Sequence, residues 1–311
     1  MKNIFIEGIQ GMGKSTLLSY LSNYLKDYHT YREGDLAPIE LAWCSYMTEN
    51  EYNNVLEKYP DIADEIQKWT KQENSHYIVA YTRIITDYPG FHKYMEEFEI
   101  YNGRKSFDEF KEIIYGRFEK FKCLECRDNI KNVNSLNNSN NYNSFSNLDN
   151  FEKSDMLDNS NGSDIFNKSK EFSNEGNLFE CAFFQNIIEN LILYYQLEDD
   201  EIVEFYRELF EFVDKDTFLL LYLDSNDIEE NILKIKSERV DAAGNEMWFP
   251  LMMAYLANSP YGVAHGYKEF SHLIEHFKHR QLLERRIIAE VIKENAMIVP
   301  SKAWDKEQIE V

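Results

Sequence analysis

The segment that most restricts the fold is a glycine-rich stretch near the N-terminus, Gly8-Ile9-Gln10-Gly11-Met12-Gly13-Lys14-Ser15-Thr16. It matches the pattern G-x-x-x-x-G-K-[ST] at every fixed position. A short apolar run at 4–6 precedes it, which indicates a buried strand, and apolar residues at helical spacing follow it at 17, 18 and 21. Strand, glycine loop and helix in this order form the context that the pattern requires, so we predict a loop that surrounds phosphate groups.

The residue types of this loop indicate what it binds. Its backbone N–H groups can point inward around phosphate oxygens, and the helix that follows presents its positive end to them. Lys14 can reach the β- and γ-phosphates of a nucleotide, and the Ser15 hydroxyl can bind Mg²⁺. We therefore predict that the loop binds a nucleoside triphosphate and Mg²⁺, held by Gly8, Gly11, Met12, Gly13, Lys14, Ser15 and Thr16.

The charge of the chain excludes some classes of partner. It has 55 acidic and 33 basic residues, which gives a formal net charge of −22. A field of this sign repels nucleic acid and anionic membrane surfaces, so we expect neither as a partner. It also repels ATP, so a phosphate site must depend on local basic groups or on Mg²⁺. No signal peptide is apparent and no apolar run approaches the roughly 18 residues of a membrane span, so we expect a cytoplasmic protein.

Residues 129–177 differ in composition from the rest of the chain. They hold 15 Asn and 9 Ser, which leaves too little apolar mass and no sustained periodicity, so we predict a disordered insert. We expect this insert to divide one domain into residues 1–128, which contain the glycine loop, and residues 178–311, which complete the domain.

Five short apolar runs outside the insert predict parallel strands, at 4–6, 29–32, 177–181, 218–223 and 296–299. Amphipathic stretches predict helices at 60–72, 74–85, 106–121, 183–195, 200–213, 227–239, 247–257 and 267–294. Alternating strands and helices indicate a three-layer α/β domain, in which a five-stranded parallel sheet is covered by helices on both faces. Ligands of such sheets bind beyond the carboxyl ends of the strands, so residues that follow each strand are candidate site residues.

Acidic side chains follow three of the predicted strands. Glu33 follows the second strand, where it can position or deprotonate an acceptor hydroxyl, although the sequence at 33–35 also suits a simple turn. Glu180 lies at the end of the third strand, and we assign it to Mg²⁺. Asp224 follows the fourth strand, but the residues after it are typical of a helix N-cap, so we assign Asp224 a structural role.

Lys236 and Arg239 lie three residues apart on a predicted helix that runs into a Gly/Asn turn. A mobile segment with cations at its tip can close over a triphosphate and neutralise charge in the transition state. A solvated helix face is the alternative explanation of such a charged run. We predict Arg239 as a catalytic residue, because its guanidinium offers a fixed fork of donors, and Lys236 as a nucleotide-binding residue.

This order of motifs resembles the thymidylate kinase and deoxynucleoside kinase group of P-loop kinases. The resemblance depends on the glycine loop, on Arg32-Glu33-Gly34, on Glu180 and on the strand that ends Tyr222-Leu223-Asp224. It implies a P-loop NTPase fold, a basic lid and Mg-ATP as the phosphoryl donor, with Glu33 where nucleoside kinases keep their base. Cys181 departs from the group, because it stands where the group has an arginine that contacts the acceptor or the transferred group.

The region 40–121 is rich in aromatic residues and longer than a simple core requires. We predict an acceptor pocket there, with Trp43 and Tyr81 for stacking and Arg83 and Arg104 as polar anchors. Either arginine could replace the cation that is missing at position 181. Aromatic residues at helical spacing more often belong to a core, which is the alternative explanation.

These residues predict a kinase that transfers a phosphoryl group from Mg-ATP to a nucleoside or a nucleoside monophosphate. Lys14, Glu33 and Arg239 are its predicted catalytic residues. Two alternatives stay open: a kinase for a small molecule with a non-nucleotide hydroxyl, and a non-catalytic ATP-binding switch protein. The expected partners are ATP and a small-molecule acceptor, and the sequence leaves a homodimer open.

Overall fold

The computed structural model of the protein describes residues 2–137, 176–241 and 244–301, with the backbone alone for 124–137. Its strands, in chain order, are β1 (Asn3–Glu7), β2 (His29–Tyr31), β3 (Ser45–Thr48), β4 (Thr70–Glu73), β5 (His76–Val79), β6 (Asn177–Glu180), β7 (Phe218–Asp224) and β8 (Ala296–Pro300). Its α-helices are α1 (Lys14–Tyr24), α2 (Glu49–Lys58), α3 (Ala63–Lys68), α4 (Phe91–Glu96), α5 (Phe107–Asn137), α6 (Gln185–Leu193), α7 (Asp199–Glu211), α8 (Ile228–Glu238), α9 (Trp248–Asn258), α10 (Pro260–His265) and α11 (Phe270–Ile287).

A five-stranded parallel sheet forms the centre of the fold, as the sequence predicts. Its strand order is β2-β6-β1-β7-β8, and every neighbouring pair is parallel. From the central β1 the chain adds strands first on one side, at β2 and β6, and then on the other, at β7 and β8. The order therefore reverses beside β1, and ligands of α/β sheets bind at such points.

Apolar side chains cover both faces of the central strand. Every residue of β1 is buried, and successive side chains of a strand point to opposite faces, so neither face of β1 is open to solvent. The ring of Phe5 stacks on those of Phe179 and Phe218, with centroids 4.9 and 4.6 Å away. Parallel strands buried on both faces form continuous apolar runs, which explains why the sequence reveals these strands.

Residues 45–98 form a small subdomain that the sequence analysis missed. Strands β3, β5 and β4 make an antiparallel sheet, and a tight turn at Asn74, whose φ is +54°, joins β4 to β5. The helix predicted over 74–85 is therefore wrong, and only Ala63–Lys68 of the stretch 60–72 is α-helical. A short apolar run fits either period, and Asn accepts the left-handed conformation that the turn requires.

The other helix predictions correspond to α5, α6, α7, α8, α9 and α11, with shifted ends. Helix α5 extends to Asn137, inside the segment predicted as an insert, and the rest of that prediction lies outside the described residues up to Gly176. Strands from both sides of the insert belong to the same parallel sheet. None of the helices in the described ranges has the length and apolar character needed to cross a bilayer.

A buried ionic network joins α6, α11 and β7. The fully buried guanidinium of Arg280 contacts Glu189 and donates to Glu284, with 2.8 Å from Nε to Oε1. The Tyr222 hydroxyl also donates to Glu284, at 2.7 Å, and His276 Nε2 lies 2.7 Å from Glu189. Although burial opposes it, the charges of His276 and Arg280 lower the pKa of Glu189 to about 2. The network is therefore stable only while each buried charge keeps its partner.

We predict that Arg280→Ala lowers the free energy of unfolding by about 3–5 kcal/mol, because it leaves Glu284 buried without its cation and Glu189 with His276 alone. Urea denaturation followed by circular dichroism measures the change. The control is Arg286→Ala, on the same helix, whose ion pairs with Asp200 and Glu290 are exposed and should contribute little. Equal unfolding midpoints for the two variants would contradict the prediction.

Candidate functional site

The glycine loop, Gly8–Thr16, connects β1 to α1 at the carboxyl edge of the parallel sheet. Gly8 has a φ of +138°, and a Cβ at this position would lie 2.5 Å from the carbonyl oxygen of Leu223, so only glycine fits. Gly13 precedes α1 with a φ of +93°, and a Cβ there would meet no described atom within 4 Å. No described side chain caps α1, and an uncapped helix N-terminus attracts an anion.

Lys14 folds back over the glycine loop. Its buried ammonium donates to the carbonyl oxygens of Gly8 at 2.7 Å and of Ile9 at 3.1 Å. Arg280 Nη2 also lies 3.5 Å from the carbonyl oxygen of Gly8. Two hydrogen bonds to the backbone of the glycine loop thus hold the positive charge of Lys14 against the loop.

The two residues predicted to bind Mg²⁺ are in direct contact. The Ser15 hydroxyl, in the first turn of α1, donates to Oε1 of Glu180, the last residue of β6. Hydroxyl and carboxylate oxygens are ligands that Mg²⁺ prefers, so the pair fits this ion. The described ranges contain no cluster of three or more His, Cys, Asp or Glu suited to a metal. Mg²⁺ at nucleotide sites usually takes one or two protein ligands and completes its shell with phosphates and water.

Glu33 lies at the turn after β2, and two neutral donors hold its side chain. Its Oε1 accepts the indole N–H of Trp43 at 3.0 Å and the amide of Gln185, also at 3.0 Å. Arg83 lies on the other side of the turn, where it donates to the Glu33 carbonyl at 3.3 Å and pairs with Asp35 at 2.6 Å. The structure therefore brings Trp43 and Arg83, both predicted for the acceptor pocket, next to Glu33.

Cys181 lies among the predicted site residues. It is buried, and its φ is +60°, which is rare for a residue with a side chain. Burial raises the pKa of its thiol well above the usual value, the charge of Lys14 acts against this shift, and Glu33 and Glu180 add to it. The thiol is therefore neutral, and Lys14, Glu33 and Glu180 all lie within electrostatic range of it.

Glu7, at the end of β1, forms hydrogen bonds with the segment that follows β6. It is fully buried, and its carboxylate accepts the backbone N–H groups of Phe183 at 2.6 Å and of Gln185 at 3.3 Å. Burial raises its pKa to about 7. The sequence analysis missed both Glu7 and Gln185. Glu7 directly follows the predicted strand at 4–6, so the rule that was applied to the acids after the other strands could have found it, whereas Gln185 belongs to no motif.

The two predicted lid cations contact the segment that follows α8. Lys236 lies 4.2 Å from the ring centroid of Phe249, and Arg239 lies 5.6 Å from that of Trp248. No contact in the described ranges joins either cation to the glycine loop. Helix α8 itself packs against the loop, since a Cβ at Gly11 would lie 2.3 Å from a side chain of this helix.

Tyr81 and Arg104 belong to a different cluster from Glu33. The Tyr81 hydroxyl donates to Glu99 at 2.6 Å, and Arg104 pairs with Glu96 at 2.8 Å and with Glu99 at 3.8 Å. Burial raises the pKa of Glu99 to about 7. The described contacts join neither Tyr81 nor Arg104 to Glu33.

Asp224 is tied to α11. Its carboxylate pairs with Arg285 at 2.6 Å and accepts the amide of Gln281 at 2.9 Å. These bonds agree with a structural role for Asp224, although its partners lie on α11 and not at the start of α8, where the sequence analysis expected a cap.

Comparisons with known proteins assign no family to the chain. A scan against models of protein families finds no match, and a search of curated proteins finds none either. The function is therefore inferred from the residues of the site.

Glu40 is a further buried carboxyl near Glu33. Its Oε1 accepts the Tyr101 hydroxyl at 2.7 Å and the backbone N–H groups of Leu41 and Ala42 at 2.7 and 2.6 Å, whereas Oε2 has no partner among the described residues. Burial raises the pKa from 4.5 to about 7. The folded protein thus binds this proton more tightly than the unfolded chain, and the resulting stability is lost as the pH rises through 7.

We predict that Glu40→Gln gains stability relative to the parent protein as the pH rises from about 5 to about 8, by up to about 3 kcal/mol. The amide oxygen of the variant can keep the bonds that Oε1 accepts, and the variant has no charge to bury. Urea denaturation at both pH values measures the difference, with Glu57→Gln at an exposed position as the control for loss of one carboxyl. A difference that stays constant between the two pH values would contradict the prediction.

Proposed function

We propose that the protein is a Mg-ATP-dependent kinase with a P-loop kinase fold, which transfers the γ-phosphoryl group to a nucleoside or a nucleoside monophosphate. The observation that carries the proposal is the contact of the Ser15 hydroxyl with Glu180, beside the glycine loop that Lys14 bonds, with Glu33 just after the strand next to β6. These residues follow or end β1, β6 and β2 at the edge where the strand order reverses. A phosphate loop, a magnesium ligand and a base at one edge are the parts that phosphoryl transfer needs.

On the donor side, the N–H groups of the glycine loop and of α1 hold the triphosphate. Lys14 exchanges its bonds to the Gly8 and Ile9 carbonyls for bonds to phosphate oxygens. Ser15 and Glu180 hold Mg²⁺, which neutralises charge on the phosphates when it is bound. Lys236 and Arg239, at the end of the helix that packs on the loop, reach the phosphates when the segment after α8 closes.

On the acceptor side, Glu33 accepts the proton of the attacking hydroxyl and holds that hydroxyl in line with the γ-phosphate. The ring of Trp43 is 48% exposed beside Glu33, so it offers a face on which a planar acceptor can stack. A nucleobase suits such a face.

The local charges bear on the choice between a nucleoside and a nucleoside monophosphate. Arg83 is paired with Asp35, and Cys181 is neutral, whereas Arg32, next to Glu33 in the chain, is exposed. A phosphate group on the acceptor would meet the carboxylates of Glu33 and Asp35, and Arg32 is a cation that could pair with it. A non-nucleotide hydroxyl compound stays the alternative acceptor class.

The test is to incubate the protein with Mg-ATP and a panel of nucleosides, nucleoside monophosphates and other hydroxyl compounds, and to measure product masses. We expect acceptor-dependent phosphorylation of a nucleoside or a nucleoside monophosphate, and the ratio of their kcat/KM values identifies which of the two is the acceptor. Lys14→Ala should lose the activity together with Mg-ATP binding. Glu33→Gln should lower kcat by about 10²–10⁴-fold and keep Mg-ATP binding, because only the acceptor side changes.

If Mg-ATP binds and no compound gains a phosphate, the kinase proposal fails. Slow ATP turnover without an acceptor, together with nucleotide-dependent binding of another protein, would instead identify a switch protein. Phosphorylation confined to non-nucleotide hydroxyl compounds would identify the alternative acceptor class.

A further inference from the structure

The two donors to Glu33 share one oxygen. Trp43 Nε1 and Gln185 Nε2 both donate to Oε1, each at 3.0 Å. In the described parts of the chain, no donor bonds Oε2. A carboxylate has about four acceptor positions, so this arrangement fixes the orientation of the side chain and leaves one oxygen for a ligand.

The backbone of each donor has a conformation or a contact that is energetically unfavourable unless the surrounding fold supports it. Trp43 has a φ of +60°, a left-handed conformation that costs a residue with a side chain on the order of 1–3 kcal/mol. Gln185 begins α6, and its backbone N–H bonds the buried carboxylate of Glu7 at 3.3 Å. Strained residues of this kind persist where the surrounding structure overdetermines them, and they concentrate at functional sites.

We propose that Trp43 and Gln185 are positioning residues, which together hold Oε1 of Glu33 so that Oε2 faces the acceptor hydroxyl. The proposal rests on the kinase function proposed above. In the transfer step the hydroxyl oxygen bonds to the γ-phosphorus while the bond from that phosphorus to the β–γ bridging oxygen breaks. The hydroxyl proton passes to Oε2, and the electron pair of the broken bond leaves with ADP.

Other charged groups near Glu33 leave this role to the two neutral donors. Arg83 bonds the backbone carbonyl of Glu33 and the carboxylate of Asp35, not the Glu33 side chain. Arg32, next to Glu33 in the chain, is exposed, and no described contact joins its guanidinium to the Glu33 carboxylate. Glu40 bonds backbone N–H groups and not the Glu33 side chain. Neutral donors orient a carboxylate without neutralising it, so the second oxygen stays able to accept a proton.

The test compares Trp43→Phe and Gln185→Glu with the parent protein in steady-state kinetics, using Mg-ATP and the best nucleoside of the panel. Trp43→Phe keeps an aromatic ring and loses the N–H donor, and Gln185→Glu keeps the shape of the side chain and replaces the donor with an acceptor. We expect kcat to fall about 10- to 100-fold in each variant, because misplacing a catalytic group by about 1 Å costs on that order. The KM for ATP should stay within about twofold of the parent value.

The control is Trp69→Phe, which removes a matching indole bond to a carboxylate, from Trp69 Nε1 to Glu65 Oε1 at 2.9 Å, in the small subdomain. It should keep the parent kcat. A thermal midpoint measured for every variant separates loss of positioning from loss of folding. Trp43 is half-exposed, so Trp43→Phe should unfold at the parent midpoint.

Parent-like kcat in both Trp43→Phe and Gln185→Glu overturns the proposal and leaves the kinase function intact. A change confined to the KM for the acceptor also overturns it, because the two residues would then bind the acceptor and not position the base. A parent protein that phosphorylates no acceptor overturns both the kinase function and the positioning role.

Discussion

The buried carboxylate of Glu7 bonds the backbone N–H groups of Phe183 and Gln185, and the other parts of the site depend on this contact. It fixes the segment after β6 against the end of β1, where the glycine loop starts. Glu180 and Cys181 lie at the beginning of that segment, and the side chain of Gln185 reaches Glu33 from its end. The burial that raises the pKa of Glu7 to about 7 is offset in part by the N–H donor of Phe183 and by the charge of Lys14.

Electrostatics place a second constraint on this site. The chain has a formal charge of −22, and Glu33 and Glu180 add two carboxylates at the sheet edge that also carries Lys14. A triphosphate can bind beside these acids only if its charge is neutralised locally. The N–H groups of the glycine loop, Lys14 and a Mg²⁺ ion on Ser15 and Glu180 would supply this neutralisation.

The sequence predicts the parts of the fold that depend on local patterns. The glycine loop and the five parallel strands follow from glycine spacing and from continuous apolar runs, and acids at strand ends mark Glu33 and Glu180. The small subdomain could not be predicted from the sequence, because β3 pairs with a strand that is distant in the chain and too short to show a period. The role of Gln185 could not be predicted either, because the residue it bonds, Glu33, lies 152 positions away in the chain.

The decisive measurement is a crystal structure of the protein grown with Mg²⁺ and a non-hydrolysable ATP analogue. A nucleotide site at the glycine loop predicts triphosphate density against the start of α1, and Mg²⁺ in contact with Ser15 and Glu180. Lys14 Nζ should then bond phosphate oxygens instead of the carbonyls of Gly8 and Ile9. An empty loop at saturating analogue, with Lys14 still on its own carbonyls, would contradict the account.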